Sequence, residues 1–157
     1  NYIHKFEFTE ERLNIIKFIS KFTTISEINS ASDYVNYKIQ DIKTKDIFTA
    51  NIRLYPMMRT PEDYEKQRKL DQILYKFDHP SLLKYYGYSP FNFRYEPFIT
   101  QINEYTNLSL HDVFKLKDTK NAVKGWNAAK KLITIYGISA GMKYLHSKEI
   151  SHWTVFF

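Results

Sequence analysis

Few of the 157 residues combine the type and the spacing that chemistry needs. The five histidines are dispersed, and none stands at a metal-ligand interval from another. There is no cysteine, which removes disulfides, thiolate metal sites and thiol nucleophiles from this chain. No G-x-S-x-G nucleophile elbow and no nucleotide-binding P-loop is expected. Three stretches remain. In "IFTANIRLY", Asn51 and Arg53 lie two apart and would share one face of a strand, offering an amide and a cation. In "INSASDYV", Asp33 would repel any anion held nearby, by ~1 kcal/mol per charge at 4 Å in water. The tail "ISHWTVFF" carries His152 and Thr154, and a threonine hydroxyl is too weak a base to take a proton at neutral pH.

Composition narrows the classes. The net charge is +6, but the lysines are scattered rather than striped, so a solvated surface is expected before nucleic acid or an anionic membrane. A contiguous basic face would restore the nucleic-acid or membrane reading. No run of about 18 apolar residues occurs, so no membrane span is expected. Absence of cysteine fits a reducing compartment, and a cytoplasmic location is expected. The start "NYIHKFEF" is unlike a signal peptide and lacks an initiator methionine, which suggests a piece of a longer protein.

Periodicity predicts the elements that would position these groups. "FTEERLNIIKFIS" predicts a short helix, capped by Thr9, with Leu13, Ile16 and Ile19 at helical intervals. "TTISEI", "DYVNYKIQDI" and "IFTANIRLY" predict three strands, with "KTKD" turning between the last two. "TPEDYEKQRKLDQILYKF" predicts a helix with Thr60 as N-cap, Pro61 at its first position and Leu70, Ile73, Leu74 and Phe77 as its buried stripe. The residue before Pro80 avoids helical angles, so "DHP" ends it. "SLLKYYGYS" and "EPFITQIN" predict two further strands, "SLHDVFKL" a short helix, and a long helix runs from Asn127 to Ser147. Apolar residues surround most of that long helix, which predicts burial on most sides, by more than the preceding elements can cover. Strands followed by helices predict an α+β fold.

Three stretches, "KFDHPSLLKYYGYS", "NEYTNLSLHDVF" and "KKLITIYGISAGMKYLHSKEISH", together resemble a eukaryotic protein kinase domain of the tyrosine-kinase-like or related protist style. The resemblance covers residues 22–157. It implies a small lobe of five antiparallel strands and one helix over 22–103, after an N-terminal helical extension over 1–21. Residues 104–157 would be the hinge and the first helices of a truncated helical large lobe. The long helix would then be waiting for the rest of that lobe.

Matched residue by residue, the resemblance implies a site stripped of its charges. Ile28, Ser30 and Asp33 stand where a glycine loop would cover the phosphates, and Val35 keeps the position that packs on adenine. Asn51 occupies the lysine position, with Arg53 as a surrogate cation in a less favoured register. Leu70 occupies the position of the partner glutamate, with Asp71 adjacent but about 100° round the helix. Asn103 is the gatekeeper, and Glu104, Tyr105 and Thr106 form the hinge whose backbone would meet adenine. His152 is retained in the catalytic loop, Trp153 replaces its arginine, and Thr154 replaces the catalytic aspartate. His79 and His146 are expected to be structural.

The resemblance therefore implies a catalytically inactive pseudokinase fragment acting through a protein partner. ATP, if bound at all, would lack strong phosphate or magnesium contacts, and no metal site is expected. The alternative is a truncated Ser/Thr or Tyr kinase whose full-length product binds ATP and transfers phosphate.

Overall fold

In a computed structural model, residues 19–54, 60–117, 119–120 and 123–150 can be described. The helix predicted before them lies outside these residues except for its end, a 3₁₀ turn at Ile19–Lys21. The fold is α+β: strands β1 (Phe22–Ser30), β2 (Tyr34–Asp41), β3 (Ile47–Arg53), β4 (Tyr85–Ser89) and β5 (Thr100–Glu104) form one antiparallel sheet in the order 1-2-3-5-4. Helix α1 (Pro61–Tyr75) connects β3 to β4, and α2 (Leu110–Leu116) and α3 (Ala128–Ser147) follow the sheet. No helix among the described residues is long and apolar enough to cross a membrane.

The chain divides into two units. One holds the sheet and α1, ending at Phe77 and resuming over Lys84–Tyr105. The other takes Asp78–Leu83 and the residues from Thr106 onward.

Pairing register fixes which side chains share a face of the sheet, because directly opposed residues point the same way and alternate residues point together. Val35 pairs Ile52, Tyr37 pairs Ala50 and Ile39 pairs Phe48. Ala50 in turn pairs Ile102. This apolar face packs Ile39, Ala50 and Ile102, all fully buried, with Ile19 and Phe22. Burying one such isoleucine contributes ~1.5–3 kcal/mol. Phe48 bridges to Phe22 edge-on at 5.6 Å and to Tyr86 at 5.0 Å.

Helix α1 begins as its sequence predicts. The Thr60 hydroxyl accepts from Asp63 N at 3.2 Å, and Asp63 Oδ2 accepts from Thr60 N at 3.0 Å. Its inward stripe differs from the expectation. Leu70 and Ile73 are exposed, while Gln67 and Asp71 are buried. The cause is a hydrogen bond of 2.7 Å from the Tyr85 hydroxyl to Asp71 Oδ1, which turns the Asp71 side of the helix toward β4. Leu74, seven positions after Gln67 and on the same helical stripe, is half-buried.

Strands β4 and β5 each begin four residues later than predicted. Residues 81–84 lie outside β4, and Ser81 and Leu82 instead approach α3 so closely that a Cβ on Gly141 would stand 3.3 Å from Ser81 Cβ. Residues 96–99 precede β5 because Asn92 gathers Glu96 into a tight loop, and Pro97 has no N–H to give a ladder.

Helix α2 carries a capping box in which Asp112 accepts from the Ser109 hydroxyl at 2.6 Å and from Ser109 N at 2.9 Å. Those bonds hold the Asp112 carboxyl below its ordinary value, the hydroxyl contributing most. A depressed folded value means the support is present above the unfolded carboxylate range near pH 4 and is lost as pH falls through the folded value. Melting curves of Asp112→Ala and the parent chain are therefore expected to differ at pH 6 and to converge toward pH 2.

Helix α3 starts at Asn127, whose Oδ1 accepts from Lys130 N at 3.0 Å. Much of its apolar surface is left open, as expected. Gly141 and Leu145 are buried, but Leu132, Ile133, Ile135 and Tyr136 are 60–76% exposed. Ser81 approaches the helix at Gly137 and Gly141, and Leu82 at Gly141.

Candidate functional site

The face opposite the apolar core is polar. Asn36 pairs Asn51, Lys38 pairs Thr49 and Tyr34 pairs Arg53. Asn51 also pairs Gln101, and Thr49 pairs Asn103. Asn29 pairs Asn36 from the other side. One row of amides, Asn29, Asn36, Asn51 and Gln101, thus crosses four strands. Within it Asn51 Nδ2 donates to Asn36 Oδ1 at 2.7 Å, and Asn36 Nδ2 donates to Asn29 Oδ1 at 2.8 Å. Asn51 Oδ1 is buried and accepts no hydrogen bond from the described residues.

This arrangement places the expected site residues unequally. Asn51, Arg53 and Asn103 share the polar face. Val35 lies on the other face, across from Ile52, so it does not line one pocket with Asn51 and Asn103. Ile28 is exposed in β1, and Ser30 donates to Glu27 Oε1 at 2.8 Å. Only residues 31–33 join β1 to β2, and Ala31 N closes them onto Tyr34 O at 2.9 Å. Asp33 is half-buried in that turn, and its carbonyl accepts from Leu54 N. The tight hairpin offers no run of glycines to wrap a phosphate.

The expected hinge starts at the end of β5. Glu104 N donates to Lys84 O at 2.8 Å, and Glu104 Oε2 accepts from Lys84 N at 3.1 Å. Tyr105 is covered by the Lys38 ammonium, 4.5 Å from its ring centre. Thr106 is exposed. Lys38 is a cation on the Asn51 face that sequence reasoning missed. Only the pairing register, not a motif, reveals it.

Across the same face, Tyr85 pairs Asn103 and reaches Asp71 of α1. Burial, then the bond to Asp71, pushes the Tyr85 hydroxyl far above its ordinary value and keeps it protonated. Asp71 Oδ2 and Gln67 Nε2 are buried without a hydrogen-bond partner among the described residues. Leu70 is exposed, so Asp71 is the residue of this pair that ties the helix to the sheet.

His152, Trp153 and Thr154 lie outside the described residues. His79 takes the structural place expected of it: its Nδ1 accepts from Ser81 N at 3.1 Å, and its ring lies 5.0 Å from that of Tyr144. His146 is exposed in the last turn of α3. Sequence reasoning also overlooked that Gly137-Ile138-Ser139-Ala140-Gly141 has G-x-S-x-G spacing. These residues sit inside α3, not on a strand-to-helix turn, and Ser139 Oγ donates back to Ile135 O at 3.0 Å. An exposed elbow nucleophile is therefore not formed. Among the described residues no three His, Asp or Glu side chains gather as metal ligands.

The fold and face define an α+β chain built on a five-stranded antiparallel sheet with an amide-lined surface. No protein-family model matches the chain, and no curated protein matches it.

Proposed function

We propose that this chain is a degenerate kinase-like small lobe with the start of a large lobe, and that it works as a protein-interaction module without phosphate transfer. The single observation that carries the loss of catalysis is the amide row. Asn51 spends a donor on Asn36 and leaves a bare acceptor oxygen where a phosphate would need a cation. A carbonyl-type oxygen cannot donate to phosphate. The polar neighbours Asn36, Lys38 and Thr49 also make a poor apolar bed for adenine. The order of three strands, helix and two strands supports the kinase-like part of the reading. The exposed Leu132, Ile133, Ile135 and Tyr136 support the interaction part, because grouped exposed apolar side chains favour a partner.

Arg53 favours a second reading, in which ATP is held but not used. It is half-buried on the Asn51 face, and its guanidinium has no hydrogen-bond or ion-pair partner among the described residues. One titration separates the two. Melting temperature is followed with millimolar ATP, with and without magnesium, for the parent chain and Arg53→Gln. No shift in either is expected. A shift lost in Arg53→Gln would establish the second reading, and magnesium-dependent phosphate transfer would refute both.

A further inference from the structure

The apolar face of the sheet carries its own cleft, away from the amide row. Its volume is about 400 Å³, within the usual range for small-molecule sites. Val35, Ile52, Phe93 and Phe98 supply apolar walls, and Arg94 and Glu96 line it as well. We propose that this cleft binds a small ligand with an aromatic body and one carboxylate.

The charge assignment follows from what each ion already does. Glu96 Oε2 accepts from Asn92 Nδ2 at 2.6 Å, so that carboxylate is engaged inside its own loop. The Arg94 side chain is exposed and has no hydrogen-bond or ion-pair partner among the described residues. Glu96 keeps its negative charge, but the Arg94 donors are unused, and a guanidinium matches a carboxylate with two parallel N–H donors. The backbone at Arg94 is fixed beforehand. Asn92 is 7% exposed, and its Oδ1 accepts from Arg94 N at 2.9 Å and Glu96 N at 3.0 Å. A preformed loop loses little freedom on binding. The walls are all on the sheet and this loop, so the inference does not depend on the kinase-like reading.

The test uses the full 157-residue chain and three probes of one shape: 2-naphthoate, its methyl ester and 2-naphthylmethylammonium. Affinities are measured by calorimetry and NMR titration. The carboxylate is expected to bind about tenfold more tightly than the ester, the scale of one charge-assisted contact. Arg94→Gln, a surface change, should erase that advantage and leave ester binding unaltered. Thr24→Trp, which fills the cleft from exposed β1, should abolish binding of both. Equal binding of ester and carboxylate, preference for the ammonium, or carboxylate affinity that survives Arg94→Gln would overturn the proposal. Should Thr24→Trp fail to fold, the Arg94→Gln comparison still decides.

Discussion

Replacing Tyr85 with phenylalanine is expected to destabilise the chain by about 3 kcal/mol, although the ring is kept. The lost group is one hydroxyl, but it donates at 2.7 Å to a carboxyl with no exposed surface. Hydrogen bonds to such groups are worth ~1.5–3 kcal/mol, and an abandoned buried acceptor adds its desolvation cost. For a chain of this length the melting temperature should fall by roughly 6–12 °C. Asp71→Leu combined with Tyr85→Phe should cost less than the two single changes added together, because neither polar group is then stranded. The alkaline limb gives a second signature. The folded chain holds the Tyr85 proton more tightly than the unfolded chain does, burial being the main cause. Its contribution is complete below the unfolded value near pH 10 and declines as pH rises toward the folded value. Tyr85→Phe lacks that decline, so the gap between the two proteins should narrow above pH 10. A phenylalanine variant within 1 kcal/mol of the parent would show that the bond does not anchor α1.

Ile102→Ala should cost about 3–4 kcal/mol, at the middle of the range for emptying a closed aliphatic site. Ile102 is fully buried in β5, paired to Ala50 on one side and Gly87 on the other. Neither neighbour has a side chain long enough to refill the space. Urea unfolding should show a lower midpoint with an unchanged slope, and Ile102→Val should lose about a third as much. A loss under ~1 kcal/mol in the alanine variant would mean that the sheet collapses around the gap, contrary to close packing.

The elements were legible in the sequence where local chemistry decides them. Thr60 with Pro61 and the β-branched runs of β2 and β3 announce a cap and two strands without outside help. The inward face of α1 was not legible, because Leu70 and Ile73 look like the natural stripe. Asp71 wins that side only through Tyr85, fourteen residues away. The separation of Val35 from Asn51 was equally hidden. It depends on the turn between β2 and β3, where Asp41 N bonds Asp46 O and Lys45 adopts φ 68°. One residue more or fewer in that turn would put Val35 and Asn51 on the same side. A motif fixes which residues are present, whereas the turn fixes which way they look. That α3 wants more cover than the preceding elements give was legible in its composition, and Leu132 and Tyr136 are exposed accordingly.

The run from Asn51 through Asn36 to Asn29 has a direction: every NH₂ points toward β1. Such a file of aligned dipoles behaves like dominoes, since turning one amide end for end obliges the next to turn as well. Asn29 stands in an exposed outer strand, yet its orientation governs which atom Asn51 shows two strands further in. A change of side chain on that rim would thus be heard at the centre of the sheet without any backbone displacement.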